Sequence, residues 1–164
     1  MSFFYLDASA LGKRYALEMG TALINYLFDS VAKDRLMALS ISIGEMMSII
    51  VRRHNAGFIS DERFAQASAE FKTEIVDADD FRLEPVEDAL IRTSLDFIEQ
   101  HALNATDALV LCSALDVAGV LHGAGDNLVL VASDTRLLRA AQAKGLTTFN
   151  PETDTPAQLD ALTA

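Results

Sequence analysis

A chain of 164 residues, 51% of them apolar, has the size and the core material of one folded domain, which excludes a largely disordered protein. Thirteen Lys and Arg oppose 24 Asp and Glu, and the net charge of −11 argues against a general nucleic-acid binder. A nucleic-acid function must therefore rest on a local site, where bound cations can reverse the local electrostatics.

Hydrophobic spacing and turn residues predict alternating strands and helices along the chain. In chain order, we predict a strand at 3–6, a helix carrying Lys13 and Arg14, a helix at 18–34, a strand at 36–39, helices at 42–55 and 60–76, a strand at 81–83, helices at 86–100 and 105–120, a strand at 127–132, a helix at 135–144 and a strand at 147–149. Strands separated by helices need crossover connections, so the expected class is α/β with a mostly parallel sheet. We expect one domain over 1–150, followed by a tail at 151–164 that is either frayed or a short closing helix.

The only cysteine, Cys112, lies in an apolar run, where a free thiol usually serves as a small buried hydrophobe. This favours a reducing, cytoplasmic compartment. The N-terminus carries no basic leader, and the longest uncharged run, 19–28, is shorter than the ~20 residues of a membrane span, so we expect no processing and no membrane association.

Two acidic residues follow directly on predicted strands. Asp7 ends the first strand, and Asp134 follows the strand at 127–132 after Ser133. In open parallel sheets, ligands gather at the carboxyl ends of the strands, so both acids would face one crevice if these strands are neighbours. The alternative is local, because either residue, or Ser133, can cap the helix that follows it.

Glu45 lies among Ile41, Met46 and Ile49 on a largely apolar helix, and a buried acid needs a partner. The alternatives to a functional role are an ion pair with Arg52 or Arg53, or emergence of the side chain at the rim.

Asp107 begins a helix whose stripe is apolar, which places it at the edge of the core. Its alternative role is local, because the run from Asn104 to Asp107 is close to a capping box. Asp116 lies half a helical revolution away from Asp107, so we leave it out of the site.

Several carboxylates that converge on one crevice cannot all stay ionised without cations, and hard oxygen ligands favour Mg²⁺ or Mn²⁺. Two such ions ~4 Å apart could activate water and stabilise the leaving oxygen of a phosphodiester. The scattered His54, His101 and His122 give no zinc pattern and are expected at the surface or at helix ends. The chain also lacks a P-loop and a nucleophile elbow.

Four segments together resemble the motifs of PIN domains, in order and in spacing: Tyr5-Leu-Asp-Ala-Ser-Ala-Leu, Ser40-Ile-Ser-Ile-Gly-Glu45, Leu103-Asn-Ala-Thr-Asp107-Ala-Leu and Leu130-Val-Ala-Ser-Asp134-Thr-Arg-Leu-Leu. The resemblance is to the VapC-like toxin branch. It implies a three-layer α/β/α fold, a Mg²⁺- or Mn²⁺-dependent endoribonuclease, frequently a homodimer, and a cognate antitoxin protein that blocks the acidic site.

The same resemblance implies that Asp7, Glu45, Asp107 and Asp134 hold the catalytic metals and that Ser9 supports them by hydrogen bonding. Basic residues near these motifs are candidates for guiding RNA phosphates, namely Lys13, Arg14, Arg52, Arg136 and Arg139.

The chain departs from the family pattern at Ala8, where a hydroxyl is common, at Val110, where the branch often has His, and at Ala132, where Thr is frequent. No departure removes a carboxylate, but each puts the substrate preference in question. Two other functions remain open: a housekeeping PIN nuclease for RNA maturation, and a catalytically silent metal-binding or interaction module. A phosphoaspartate receiver fits less well, since the acids are dispersed over two strand ends and two helices.

Overall fold

The computed structural model describes residues 1–163, which form five strands and eight α-helices. The strands are β1 (Ser2–Leu6), β2 (Leu36–Leu39), β3 (Arg82–Glu84), β4 (Asn127–Val131) and β5 (Thr147–Phe149). The helices are α1 (Ala8–Tyr15), α2 (Thr21–Ser30), α3 (Ser42–Asn55), α4 (Asp61–Phe71), α5 (Asp88–His101), α6 (Ala105–Gly123), α7 (Thr135–Ala143) and α8 (Pro156–Thr163).

The five strands form one parallel sheet in the order β3-β2-β1-β4-β5. The chain moves outward from β1 to β2 and β3, and then returns to the other side of β1 for β4 and β5. The strand order therefore reverses between β1 and β4, which pair in register from Ser2 with Asn127 to Leu6 with Val131. Open α/β sheets bind ligands at such a reversal, outside the carboxyl ends of the strands.

Helices cover both faces of the sheet, which gives the expected three-layer α/β/α architecture. Phe4 and Leu6 of β1 point into a core shared with α1, α2, α3 and α4, whereas Tyr5 points into a second core shared with α6 and α7. Strands β2 and β4 alternate between the two cores in the same way. All four residues of β2 are buried, which explains its uninterrupted apolar sequence.

Helix α6 is long and apolar enough to span a membrane by length and composition alone. Its position gives another reason for this composition. Val110, Leu111 and Ala114 are fully buried, and the helix packs against α5, α7, β2 and β4. Cys112 of this helix is a buried free thiol, as expected.

The helix predicted at 18–34 is shorter, because α2 begins only at Thr21 and ends at Ser30. Gly20 precedes it with a φ of 89°, and a Cβ at this position would come within 2.7 Å of the Pro151 carbonyl oxygen. The chain therefore passes Gly20 in a conformation that favours glycine before the helix can start.

The tail forms a closing helix rather than a frayed end. Leu159 of α8 is fully buried in the same core as Phe4, and α8 packs against α2. The helix predicted at 60–76 is α-helical only to Phe71 and ends in a π-helical turn at Lys72–Val76.

Candidate active site

A cavity of about 540 Å³ opens at the carboxyl edge of the sheet, where the strand order reverses. All four acids singled out in the sequence line it: Asp7, Glu45, Asp107 and Asp134. They come from the end of β1, the first turn of α3, the first turn of α6 and the loop after β4. The fold thus brings four carboxylates that are distant in sequence to one cavity.

Asp7 is 5% exposed and is held by a short chain of hydrogen bonds. Its backbone N–H donates to the Val131 carbonyl oxygen at 2.9 Å, which ties the end of β1 to β4. Its Oδ2 accepts from the Ser9 N–H at 3.0 Å and from the Ser9 hydroxyl at 2.6 Å. The same hydroxyl accepts from the Ser133 N–H at 2.9 Å, so Ser9 links the loop after β1 to the loop after β4.

Asp134 caps α7 through its Oδ1, which accepts from the Arg136 N–H at 2.8 Å and the Leu137 N–H at 3.1 Å. Asp7 likewise caps α1 through Oδ2. Both residues therefore cap a helix and line the cavity at the same time. One oxygen of each carboxylate stabilises a helix start, and the other makes no hydrogen bond to a side chain of the described residues.

Asp107 is 9% exposed and lies next to the helix cap. Asn104 caps α6 by accepting from the Asp107 N–H at 2.8 Å, and its side-chain amide donates to Asp107 Oδ2 at 2.8 Å. The capping residue is therefore Asn104, and the Asp107 carboxylate remains on the wall of the cavity.

Glu45 is half-buried and forms no ion pair with either arginine weighed as its partner. Arg53 pairs instead with Glu18. Arg52 lines the same cavity as Glu45, without reaching ion-pair distance.

Burial and the neighbouring acids raise the pKa values of three of the four carboxyl groups. Burial raises the pKa of Asp107 to about 7, and the negative charges of Asp7, Asp134 and Glu45 add to this rise, while Arg136 opposes it. Burial and the charge of Asp7 also raise the pKa of Glu45, against the Thr106 hydroxyl and Arg52. Burial raises the pKa of Asp7, while the hydrogen bonds from Ser9 lower it. The cavity is therefore a site where negative charge is concentrated and only partly compensated.

The chain's other titratable side chains do not complete a closed metal site. Within residues 1–163, no three His, Cys, Asp or Glu side chains are already placed to hold one ion. His54 contacts Asp61, and His101 is the last residue of α5, so both lie at helix ends as expected.

The five basic candidates divide into two groups. Lys13 is 2% exposed and pairs with Glu18 at 3.1 Å and Glu152 at 2.5 Å, and Arg14 pairs with Glu74 at 3.0 Å. Neither of these two predicted phosphate-guiding residues lines the acidic cavity.

Arg52 does line the acidic cavity, and Arg136 acts on the charge of Asp107. Arg136 and Arg139 line a second, smaller cavity with His101. Arg52 and Arg136 therefore lie near the acids, whereas Arg139 lines only cavities outside the acidic one.

Thr106 and Ser48 also line the acidic cavity, although the sequence did not single them out as site residues. Thr106 precedes Asp107 in the first turn of α6, and that position was the available signal. Ser48 lies one helical turn after Gly44, whose carbonyl oxygen accepts from its hydroxyl at 2.8 Å, so its own contact is local.

No protein-family model matches the chain, and no curated protein sequence matches it. Two solved structures are similar to it across almost its full length. FitAcB from Neisseria gonorrhoeae has 16% sequence identity and a TM-score of 0.63, and the similarity covers 93% of this chain and 100% of that one. VapC20 from Mycobacterium tuberculosis, described as a sarcin-ricin loop cleaving toxin, has 16% identity and a TM-score of 0.60, over 93% and 99% of the two chains.

The chain has a PIN-like fold. The departures of this PIN-like chain from the family motifs follow from packing. Val110 and Ala132 are fully buried in the second core, and Ala8 lies on the wall of the acidic cavity without a polar group. The hydroxyl groups that line the cavity come instead from Ser9, Ser48 and Thr106.

Proposed function

We propose that this protein is a Mg²⁺- or Mn²⁺-dependent endoribonuclease and the toxin of a toxin–antitoxin pair. The observation that carries the proposal is the cavity where Asp7, Glu45, Asp107 and Asp134 meet at the strand reversal. The description of VapC20, which has a similar fold, as a sarcin-ricin loop cleaving toxin supports this choice over a receiver domain.

The donor set fits a hard divalent cation. Four carboxylates supply only oxygen ligands, and Mg²⁺ and Mn²⁺ prefer these to nitrogen or sulfur. The pKa of Asp107, raised to about 7 partly by the other three acids, is the electrostatic sign of uncompensated charge that a cation would relieve. Because no three acids are preplaced around one point, ion binding must draw the side chains together.

When bound, a metal ion would supply activated water and charge stabilisation at the scissile phosphate. The chain's own residues prepare for this. Ser9 fixes one oxygen of Asp7 and links the first turn of α1 to the loop after β4, which holds the backbone around Asp7 and Asp134 together. Arg52 places positive charge on the wall that would face an RNA phosphate.

An antitoxin protein is the partner we propose for this site, and a homodimer is the proposed assembly. We also propose a cytoplasmic location, which the buried free thiol of Cys112 supports, because such thiols persist in reducing compartments.

Cleavage of labelled single-stranded and stem-loop RNAs in Mn²⁺ tests the proposal. The wild type should cut RNA, and Glu45→Gln should lose at least about 100-fold in rate, since even residues behind a metal ligand typically matter 10- to 100-fold. Glu62→Gln is the matched control, because Glu62 also lies in the first turn of a helix but is exposed and outside the cavity. Equal activity of both variants, or no cleavage by the wild type, would contradict the proposal.

A further inference from the structure

Most arginines of the described residues are engaged within the protein, and the exceptions line the acidic cavity or the smaller cavity formed by His101, Arg136 and Arg139. The guanidinium groups of six arginines form ion pairs or hydrogen bonds with the protein: Arg14, Arg35, Arg53, Arg63, Arg82 and Arg92. Within residues 1–163, the guanidinium groups of the other three, Arg52, Arg136 and Arg139, have no such partner. In a protein with a net charge of −11, three unengaged arginines at these two cavities indicate a recognition role.

Arg136 and Arg139 lie three residues apart on α7, so both project from the same side of the helix. They line a cavity of about 160 Å³ together with Ala140 and His101, the last residue of α5. Both arginines are exposed at this cavity, and neither is needed for the core.

This small cavity adjoins the acidic one through the first turn of α7. Asp134 accepts from the Arg136 N–H at 2.8 Å, and the Arg136 charge lowers the pKa of Asp107 against its overall rise. An extended molecule that leaves the acidic cavity over the first turn of α7 would therefore pass Arg136 and enter the smaller cavity.

His101 supplies a polar group that has no hydrogen-bond partner within residues 1–163. Its Nε2 is buried without a hydrogen bond, which disfavours the ligand-free state. The ring is held in place by stacking on Phe97 with centroids 6.3 Å apart, and Lys144 lies over the same Phe97 ring at 5.1 Å. Because His101 lines the cavity and its Nε2 has no partner, an anion bound between the arginines would form this hydrogen bond once the ring turns toward it.

We infer that His101, Arg136 and Arg139 form a subsite for one backbone phosphate of RNA, adjacent to the phosphate that is cut in the acidic cavity. The inference rests on the proposed function. The subsite is smaller than the 300–1,000 Å³ usual for drug-sized ligands, which fits a single phosphate rather than a nucleotide. Arginine suits this role because its planar fork binds two phosphate oxygens at once.

The test follows the side-chain NMR signals of the three histidines in the full chain, kept in EDTA so that the RNA stays intact. A short oligoribonucleotide should shift the His101 signals and leave those of His54 and His122 unchanged. In anisotropy measurements, Arg139→Gln should weaken RNA binding roughly tenfold, equivalent to about 1.4 kcal/mol, and should reduce the salt dependence by about one phosphate contact. Arg92→Gln is the matched control, since Arg92 is exposed on α5 and lines neither cavity.

Three results would overturn the subsite. The first is no change at His101, and the second is an equal change with inorganic phosphate at the same phosphate concentration, which indicates a small-anion site. The third is a change with poly-glutamate but not with RNA, which indicates an acidic protein partner. Because the assay involves no cleavage, RNA binding at His101 by a protein that cuts no RNA would reject the proposed function alone.

Discussion

Replacing Asp107 by Asn should stabilise the metal-free protein, even though the residue lies near a helix cap. The carboxamide oxygen can still accept from Asn104, so the helix start is kept. What changes is the charge. A rise in pKa from 3.8 to about 7 corresponds to about three units, and at about 1.4 kcal/mol each the ionised group costs up to about 4 kcal/mol above pH 7.

Solvent screening at the open cavity reduces this cost, so we expect a gain of about 1–2 kcal/mol at pH 7.5. For a chain of this length, each kcal/mol raises the melting temperature by about 2–4 °C. Asp116→Asn is the matched control, because Asp116 lies on the same helix but is exposed and outside the acidic cavity. Its melting temperature in EDTA should stay close to that of the wild type.

Added Mn²⁺ should reverse the order of the melting temperatures of the wild type and Asp107→Asn. A ligand stabilises the folded state by about 2.7 kcal/mol at a concentration 100-fold above its Kd, and only as far as the site keeps its affinity. Thermal melts with and without Mn²⁺ should therefore show a larger metal-induced shift for the wild type and Asp116→Asn than for Asp107→Asn. Equal shifts in all three proteins, together with a lower melting temperature of metal-free Asp107→Asn, would contradict both the charge repulsion at Asp107 and its role in metal binding.

Three further outcomes are expected. Between about pH 4 and pH 7 the folded metal-free protein holds a proton at Asp107 that the unfolded chain releases, so the free energy of unfolding should fall as pH rises through this window. Urea unfolding in EDTA should show a steeper fall for the wild type than for Asp107→Asn. Parallel curves would count against the raised pKa of Asp107. Ser9→Ala removes the acceptor of the Ser133 N–H and should lower the free energy of unfolding in urea by about 1–3 kcal/mol. Ser48→Ala is the control, because it loses only a local helix contact and should stay within about 0.5 kcal/mol of the wild type. Similar losses in both variants would reject the linking role of Ser9. Lys13→Met should lower stability by about 1–3 kcal/mol, because Glu152 loses its partner and Glu18 keeps only Arg53. The salt dependence of RNA binding should stay unchanged; a reduced salt dependence would return Lys13 to the RNA-binding residues.

Much of the fold could be predicted because its signals are local. The parallel sheet follows from strands that alternate with helices, and the prediction of a three-layer PIN-like architecture is confirmed. The late start of α2 could not be predicted, since it depends on the close approach of Pro151 to Gly20 across the fold. The closing helix was left open for a similar reason, because Leu159 is buried only against other elements.

The four acids could be located from sequence because each lies at a strand end or in the first turn of a helix, where the edge of the sheet collects them. The basic residues could not be sorted in this way. Lys13 and Arg14 are paired with Glu152 and Glu74, far away in the chain, and no local pattern shows these contacts. The cavity beside His101 was likewise invisible, because it forms only where the end of α5 meets α7.

The most direct test of the proposed site is a crystal structure of the protein grown with Mn²⁺, with anomalous scattering used to locate the metal. We expect Mn²⁺ in the acidic cavity, bound by oxygens from at least three of Asp7, Glu45, Asp107 and Asp134, whose side chains have moved together around it. Manganese bound elsewhere, or an empty cavity in crystals of a protein that cuts RNA, would contradict it.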